Sequence, residues 1–309
     1  MGLVQVIKPG QLSLIQDFGR YGIGPLGVTQ GGPVDEYAYC WANHLLGNPP
    51  NCTSLEITLG QAEFVFTENC MAAICGGDLQ AKLDGKPVTN WSSFYIKKDQ
   101  VLRFGLPVNG LRAYLAVLGG FNVTPTLGST ATVTREQLGG LNQNGEPLAS
   151  GDVIPFNSGI QTQLKPKQIT FRFKPDYNLP LKLRVIESYQ SHEFSKEAKR
   201  AFYRQPYHVS QSSDRMGYRL EGVPVSPPSG GMISEGIALG SIQIPPDGQP
   251  IILLNDRQTL GGYPKIGVLA RIDHPRIAQA KPGHEVKFIR GNRKHLQAIW
   301  CSWALRFGY

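Results

Sequence analysis

The densest chemistry in the chain lies between two apolar, strand-like runs, residues 251–254 and 266–272. The knot between them holds Asn255, Asp256, Arg257, Gln258, Thr259, Gly261, Gly262 and Tyr263. A strand that ends in donors, acceptors and a glycine pair has the make-up of a site carried on a rigid sheet, since loops at strand ends carry binding and catalytic groups. A plain hairpin loop is the competing reading, because Gly-Gly-Tyr-Pro is also ordinary turn chemistry. Glycine lets backbone N–H groups approach a ligand closely. Such donors can stabilise an oxyanion by on the order of 3 kcal/mol each.

Two further loops are dense in polar groups. In Asp17-Phe-Gly-Arg-Tyr21, Arg20 has the fork that holds a carboxylate or a phosphate. In Ser212-Ser-Asp-Arg-Met-Gly217 the pair is Asp214 and Arg215. Adjacent Asp-Arg pairs also serve simply to lock loops, and that reading carries about equal weight for these two.

Other chemistries fail on their physical requirements. Gly22-Ile-Gly-Pro-Leu-Gly27 has the dinucleotide spacing, but Pro25 interrupts it and the first helix begins only near Asp35. A pyrophosphate site needs a strand feeding directly into a helix N-terminus. There is no Gly-rich P-loop and no Gly-x-Ser-x-Gly elbow. The six histidines (44, 192, 208, 274, 284 and 295) show no metal-binding spacing, so no metal is expected.

The elements that must position these loops are mostly strands. Strand-like runs occur at 12–15, 62–66, 72–74, 93–96, 101–104, 112–118, 169–173 and 182–186, then at 240–244, 251–254, 266–272 and 285–289. Helices are expected at 35–46, with Asp35 as N-cap and Gly47 as stop, at 195–203, and at 294–307. In the last, Leu296, Ile299, Trp300, Trp303 and Phe307 recur at helical spacing as a docking stripe. With 36 glycines and 23 prolines, the chain reads as mainly β with a few short helices.

An internal repeat is also expected. Residues 57–60 match 237–240, and 71–74 fall on 251–254 at the same offset of 180 residues. Residues 97–104 resemble 281–288, and Gln16-Asp-Phe-Gly-Arg-Tyr echoes Ser213-Asp-Arg-Met-Gly-Tyr218. The repeat sets the opening knot against Cys75-Gly-Gly-Asp78 in the first half. The expected division is a first domain at 1–156, a linker with a crossing strand at 157–180, and a second domain at 181–309.

A length of 309 residues suits two domains, and 17% charged residues with 41% hydrophobic describes a globular chain. The net charge of +8 is spread over the sequence. Its denser patches, 165–174, 196–204 and 290–294, lack the interleaved aromatics of a nucleic-acid motif, so they read as solvated faces or a contact for an acidic partner. No nucleic acid is expected as a partner. Five cysteines without a Cys-x-x-Cys pair fit reduced thiols in the cytoplasm. No secretory leader and no membrane-spanning run are read from the sequence.

Taken together, Gln16-Asp-Phe-Gly-Arg-Tyr-Gly22, Gly31-Gly-Pro-Val-Asp35, Ala42-Asn-His-Leu-Leu-Gly-Asn48, Glu56-Ile-Thr-Leu-Gly60, Ser213-Asp-Arg-Met-Gly-Tyr218 and Asp256-Arg-Gln-Thr-Leu-Gly-Gly-Tyr-Pro264 resemble the 5-oxoprolinase C-subunit family. That family is also called allophanate hydrolase subunit 2-like, or the A and B half of the urea carboxylase carboxyltransferase domain. The resemblance covers residues 4–288 and implies two tandem cyclophilin-like β-barrel domains. It implies a heteromeric complex with the kinase-inhibitor-like B subunit and with the A subunit of a 5-oxoprolinase. The implied reaction converts 5-oxo-L-proline, ATP and water to L-glutamate, ADP and phosphate, with ATP held by this chain or by a partner. Residue chemistry makes Asp256, Arg257, Gln258 and Thr259 the catalytic candidates. Arg20, Asp214, Arg215, Gly261, Gly262 and Tyr263 are the substrate-binding candidates, the arginines for charge and the glycine amides for a lactam.

Two other functions fit the same family. One is a biotin-dependent carboxyltransferase or a urea-pathway amidohydrolase component; no Ala-Met-Lys-Met carrier motif occurs, so biotin is not expected on this chain. The other is a non-catalytic antagonist of a histidine-kinase inhibitor. The polar knot favours an enzyme, because a pure binding module has no need of Asp, Arg, Gln and Thr in one glycine loop.

Overall fold

The structure is a computed structural model that describes residues 1–158, 165–228 and 233–308. Its contacts divide the chain into two units, Met1–Arg20 with Gly31–Asn178, and Tyr21–Gln30 with Leu179–Tyr309. The first unit thus keeps the end of the segment read as a linker, whose residues 159–164 lie outside the described residues. The second unit takes a short piece from near the start of the chain.

The first unit runs β1 Gly2–Pro9, β2 Leu12–Gln16, α1 Glu36–Leu46, β3 Ser54–Thr58, β4 Ala62–Phe66, β5 Cys70–Asp78, β6 Lys82–Leu83, β7 Lys86–Pro87, β8 Ser92–Ile96, β9 Val101–Arg103, β10 Asn109–Val117 and β11 Val153–Phe156. Six strands form one sheet in the order β11-β1-β4-β9-β6-β7, and five form another, β2-β3-β10-β5-β8. Alternation explains the first sheet: in Ala62-Glu-Phe-Val-Phe66 every second residue is buried. Val4, Phe64, Phe66 and Phe156 of that sheet share one core with Ile15, Ile57, Ile74 and Leu115 of the other. Each such side chain contributes about 2 kcal/mol by leaving water.

Helix α1 begins where Asp35 accepts a hydrogen bond from the Ala38 amide at 2.9 Å and ends at Gly47 in the left-handed conformation. It packs so closely on the sheet that a Cβ at Gly76 would stand 3.3 Å from the Ala38 Cβ and 2.5 Å from the Arg112 carbonyl oxygen, at φ +97°. Glycine is required there by both space and backbone.

The second unit runs β12 Leu181–Glu187, α2 Lys196–Arg204, β13 Tyr207–Val209, β14 Gly217–Gly222, β15 Glu235–Gly236, β16 Ser241–Gln243, β17 Ile251–Leu253, β18 Leu260–Gly261, β19 Lys265–Leu269, α3 His274–Ile277, β20 Glu285–Arg290 and α4 Arg293–Phe307. Seven strands close a barrel in the order β12-β19-β16-β17-β14-β13-β20, and β20 returns parallel to β12 with Leu183 opposite Phe288. Leu183, Val185, Leu220, Ile242, Ile252, Ile266 and Phe288 fill its interior. Closure removes the exposed edges that an open sheet presents. Strands β15 and β18 form a separate two-stranded ribbon.

The fold is therefore mainly β with few short helices, as expected. All three long helices lie within one or two residues of the sequence expectation, α2 capped by Ser195 and α4 by Asn292. In α4, Leu296 and Phe307 are buried and the Arg271 guanidinium lies 4.6 Å over the Trp300 ring.

Two expected strands need correction. Residues 169–173 end in a 3-10 turn, Phe171–Phe173, and the run 266–272 stops at Leu269 before a second turn, Arg271–Asp273. Residues 71–74 and 251–253 of the repeat fall on strands, whereas 237–240 connect β15 to β16, and the paired strands have different neighbours. β9 is antiparallel to β4 and β6, whereas its counterpart β20 is parallel to β12. Cys75-Gly-Gly-Asp78 is continuous strand β5, whereas the knot set against it is a loop followed by β18.

Candidate functional site

The loop residues singled out by sequence divide into locks and open groups. Arg20 is 3% exposed, and its guanidinium donates to the carbonyls of Thr126, Ala131 and Ser129 at 3.0, 2.8 and 3.2 Å. Three backbone acceptors hold the fork and tie residues 126–131 to the start of the chain. Asp17 caps the same loop, accepting from the Gly19 amide at 2.9 Å and the Thr130 amide at 2.8 Å. Asp214 does likewise in the second unit, accepting from the Met216 and Gly217 amides at 2.8 and 3.1 Å.

Arg215 and Asp256 form a bidentate ion pair, Nε to Oδ2 at 2.8 Å and Nη2 to Oδ1 at 3.0 Å, each side chain 7% exposed. A forked pair this deeply buried fixes the β14 and β17 ends to each other. Arg257 donates to the Ile237 and Leu254 carbonyls at 3.1 and 3.3 Å, and burial lowers its pKa from the ordinary arginine value. Thr259 donates from its hydroxyl to the Gly27 carbonyl at 3.5 Å, and its own carbonyl accepts from the Ile237 amide at 3.0 Å. Tyr263 is exposed and Gly262 half-buried.

Gln258 and Gly261 belong to a different constellation, which the sequence reading did not assemble. Gly261 pairs with Glu235 across the β15–β18 ribbon. A Cβ at Gly261 would meet Ile237 Cδ1 at 2.4 Å, Gln258 Nε2 at 3.0 Å and Gln243 Nε2 at 3.1 Å. Two side-chain amide nitrogens therefore pack over this backbone position, and a Cβ there would push the flexible ends of Ile237, Gln258 and Gln243 aside. Gln243 sits opposite Lys265 in the β16–β19 ladder. It is 2% exposed, and its Nε2 is buried with no hydrogen-bond partner among the described residues. A buried amide donor left unmade costs about 1–3 kcal/mol, so an unused one in a native fold calls for a reason.

Lys265 has a side chain only 5% exposed, and its ammonium group pairs with the Glu235 carboxylate. The Tyr189 hydroxyl donates to the same carboxylate oxygen, and Gln190 Nε2 donates to it at 2.8 Å. Gln190 also accepts from the Lys265 amide at 2.8 Å, so one glutamine holds both members of the ion pair. The Lys265 ammonium, followed by the Tyr189 hydroxyl, holds the Glu235 carboxyl below the usual carboxylate range. The hydrogen bond to Glu235 in turn pushes the Tyr189 hydroxyl up to about 12. The cluster thus holds an acid with 35% of its side chain exposed, its buried lysine partner, a phenol donor and an unpaired amide donor.

That set can receive a small polar molecule with a carbonyl and an amide edge. Gln243 supplies a donor, Lys265 positive charge, and Glu235 an acceptor. The signals in the sequence are slight: Gln243 interrupts an apolar run, Ile242-Gln-Ile244, and Lys265 opens a strand immediately after the Gly-Gly-Tyr-Pro turn. Among the described residues, no group of three or more His, Cys, Asp or Glu could hold a metal ion. Among the same residues, no helix is long and apolar enough to cross a membrane.

The carboxyltransferase domain, subdomain A and B, family model matches residues 26–290. The 5-oxoprolinase C subunit of Escherichia coli is 34% identical over 93% of this chain and 91% of its own length. That of Haemophilus influenzae is 32% identical over 93% and 90%. The crystal structure of the Kluyveromyces lactis urea carboxylase superposes with a TM-score of 0.87 at 26% identity, over 99% of this chain and 29% of that one. The chain thus spans nearly all of the bacterial proteins and under a third of the yeast enzyme. It belongs to the carboxyltransferase domain, subdomain A and B, family.

Proposed function

We propose that the chain is the C subunit of an ATP-dependent 5-oxoprolinase and that the cluster around Lys265 is where the lactam is held. The observation that carries this reading is the near-complete coverage, in both directions, of two bacterial proteins named as 5-oxoprolinase C subunits. The unpaired Gln243 amide supports it, because a lactam carbonyl oxygen is the acceptor that this donor lacks.

A lactam resists water because its nitrogen lone pair is delocalised into the carbonyl. Transfer of the ATP γ-phosphoryl group to the lactam oxygen converts that oxygen into a leaving group and makes the ring carbon electrophilic. Water adds to this carbon, the ring C–N bond breaks with protonation of nitrogen to leave a glutamyl acyl phosphate, and a second water displaces phosphate from that carbonyl to give the carboxylate of glutamate. In this reading Gln243 Nε2 positions the lactam oxygen, and Lys265 neutralises charge that develops there. Glu235 accepts a hydrogen bond from the ring N–H or from the attacking water. Gln258, Gly261 and Gly262 line the approach. Arg257 and the Arg215–Asp256 pair hold the loop from behind, and Thr259 and Tyr263 belong to its outer side. The A and B subunits of the enzyme are the expected partners, and ATP is a substrate shared with them.

The test is co-expression with the candidate A and B subunits, followed by 5-oxoproline-dependent ATP hydrolysis. Lys265→Met should lower turnover by about 100-fold or more in a complex that still assembles. Absence of 5-oxoproline-dependent turnover in the intact wild-type complex would sink the reading. The likeness to the yeast urea carboxylase favours a second reading, carboxyl transfer to an amide nitrogen. Biotin-dependent carboxylation by the same complex would select it.

A further inference from the structure

A second concentration of charge lies on helix α2, away from the lactam cluster. Lys196, Lys199, Arg200 and Arg204 recur at three- and four-residue spacing, so they share one face of the helix. With Tyr203 and with Arg290 of β20 they line a concavity of about 350 Å³. None of the four helix cations forms a side-chain ion pair or hydrogen bond with a described residue. Among the described residues, the acid tied to the concavity by an ion pair is Glu187, which binds Arg290 at 3.1 Å.

This face is built, rather than loose. Phe202 of the same helix is fully buried and stacks on Phe288 with ring centroids 4.3 Å apart and planes 16° from parallel. The Tyr203 ring is capped by the Arg290 guanidinium at 4.4 Å. The basic face therefore cannot roll away from the concavity without breaking the barrel core. Like charges four residues apart destabilise a helix, as Lys196 with Arg200 and Arg200 with Arg204 do here. Glu197 in the first turn answers the helix dipole, but no described acid pairs with these four cations to relieve their mutual repulsion.

We propose that this cleft binds an oligophosphate group, free or as the phosphate tail of a nucleotide. A convergent pocket with five cations suits several closely spaced negative oxygens, with each arginine fork donating to two oxygens and the lysines acting as point charges. Its volume is at the small end of ligand sites and admits a triphosphate-sized group but no folded protein element. Because Arg290 already occupies the Tyr203 face, recognition falls on the phosphates and is indifferent to a base.

The experiment is calorimetric titration of the full chain, at about 50 mM and about 200 mM salt, with tripolyphosphate, ATP, orthophosphate and a poly-glutamate peptide. Tripolyphosphate should bind at one per chain, more tightly than orthophosphate, and weaken several-fold at the higher salt as screening grows. Lys199→Ala with Arg200→Ala should weaken it by about tenfold or more, since two charge-assisted contacts are lost. Lys97→Ala with Lys98→Ala in the first unit should leave it unchanged. Both substituted pairs are checked for an unaltered melting temperature. ATP matching tripolyphosphate would identify the nucleotide tail as a ligand, and a clear preference for tripolyphosphate a free oligophosphate. Saturable binding that survives the α2 double variant, tighter binding of poly-glutamate than of tripolyphosphate, or no saturable binding at all would each overturn the proposal.

Discussion

Each unit holds an acid, a cation and a tyrosine in one cluster, and the two clusters differ in how far water is shut out. In the first unit Glu56 is completely buried, accepts from the Tyr114 hydroxyl at 2.6 Å and the Val34 amide at 3.2 Å, and faces Arg112 at 3.8 Å. Asp35 beside it receives the Tyr177 hydroxyl at 3.0 Å. Burial pushes both phenols well above the usual tyrosine range, with the neighbouring carboxylates adding to it. In the second unit Glu235 keeps about a third of its side chain in water, and the adjacent Gln243 donor is unmatched. The same residue types are sealed from water in one unit and left open on one side in the other.

The comparison breaks most readily at Glu56. Glu56→Ala should cost about 3–5 kcal/mol in urea unfolding, because it strands the buried Arg112 and Tyr114. Glu235→Gln should cost less than Glu56→Ala, because the amide oxygen can still accept from Lys265, Tyr189 and Gln190 and about a third of the Glu235 side chain meets water, while lowering turnover of the assembled complex. Similar stability losses for the two would erase the distinction.

Acid should separate the units next. His274 is buried, and desolvation depresses its imidazole to about 4. It is neutral in the fold and takes up a proton on unfolding below its ordinary value near 6.5. Its contribution is fully present above about pH 6.5 and is lost as pH falls toward 4, on the order of 3 kcal/mol across that window. Chemical denaturation monitored at several pH values should show this loss in the second unit, and the slope should flatten in His274→Asn.

The smallest effect is the most diagnostic. Gln243→Met keeps the volume and removes the unmatched amide, so stability should hold or rise by about 1 kcal/mol while 5-oxoproline-dependent turnover falls roughly tenfold. Gln16 is the control. It is equally buried, but its amide donates to the Thr132 carbonyl at 3.1 Å, so Gln16→Met should destabilise.

What the sequence disclosed follows the range of each interaction. Asp35 and Gly47 mark the ends of α1 because capping is local, and the alternation of residues 62–66 reports a one-sided sheet for the same reason. The polar knot adjoins the Lys265 cluster through Gly261, where a Cβ would meet the side-chain ends of Ile237, Gln258 and Gln243. Lys265 and Gln243 give little signal in the sequence, because a lysine reads as solvated and a single glutamine in a three-residue strand has no periodicity. Their significance comes from a ladder position and from Glu235, thirty residues away. Arg20 and Arg215 looked alike in sequence, and only their partners, three carbonyls for one and Asp256 for the other, tell them apart.

The passage of residues Tyr21–Gln30 into the second unit bears on how the protein is made. Thr29 donates to the Arg257 carbonyl across 228 residues of sequence, and Tyr21 meets Arg271 across 250. At a synthesis rate of roughly 5–20 residues per second, the early segment waits on the order of 10–50 s for its partners to leave the ribosome. The first unit can gather its core meanwhile, but the second cannot be completed until the last third of the chain has emerged. A gene cut between the units would strand that segment on the wrong product, so the second unit should refold fully only when residues 21–30 are supplied with it.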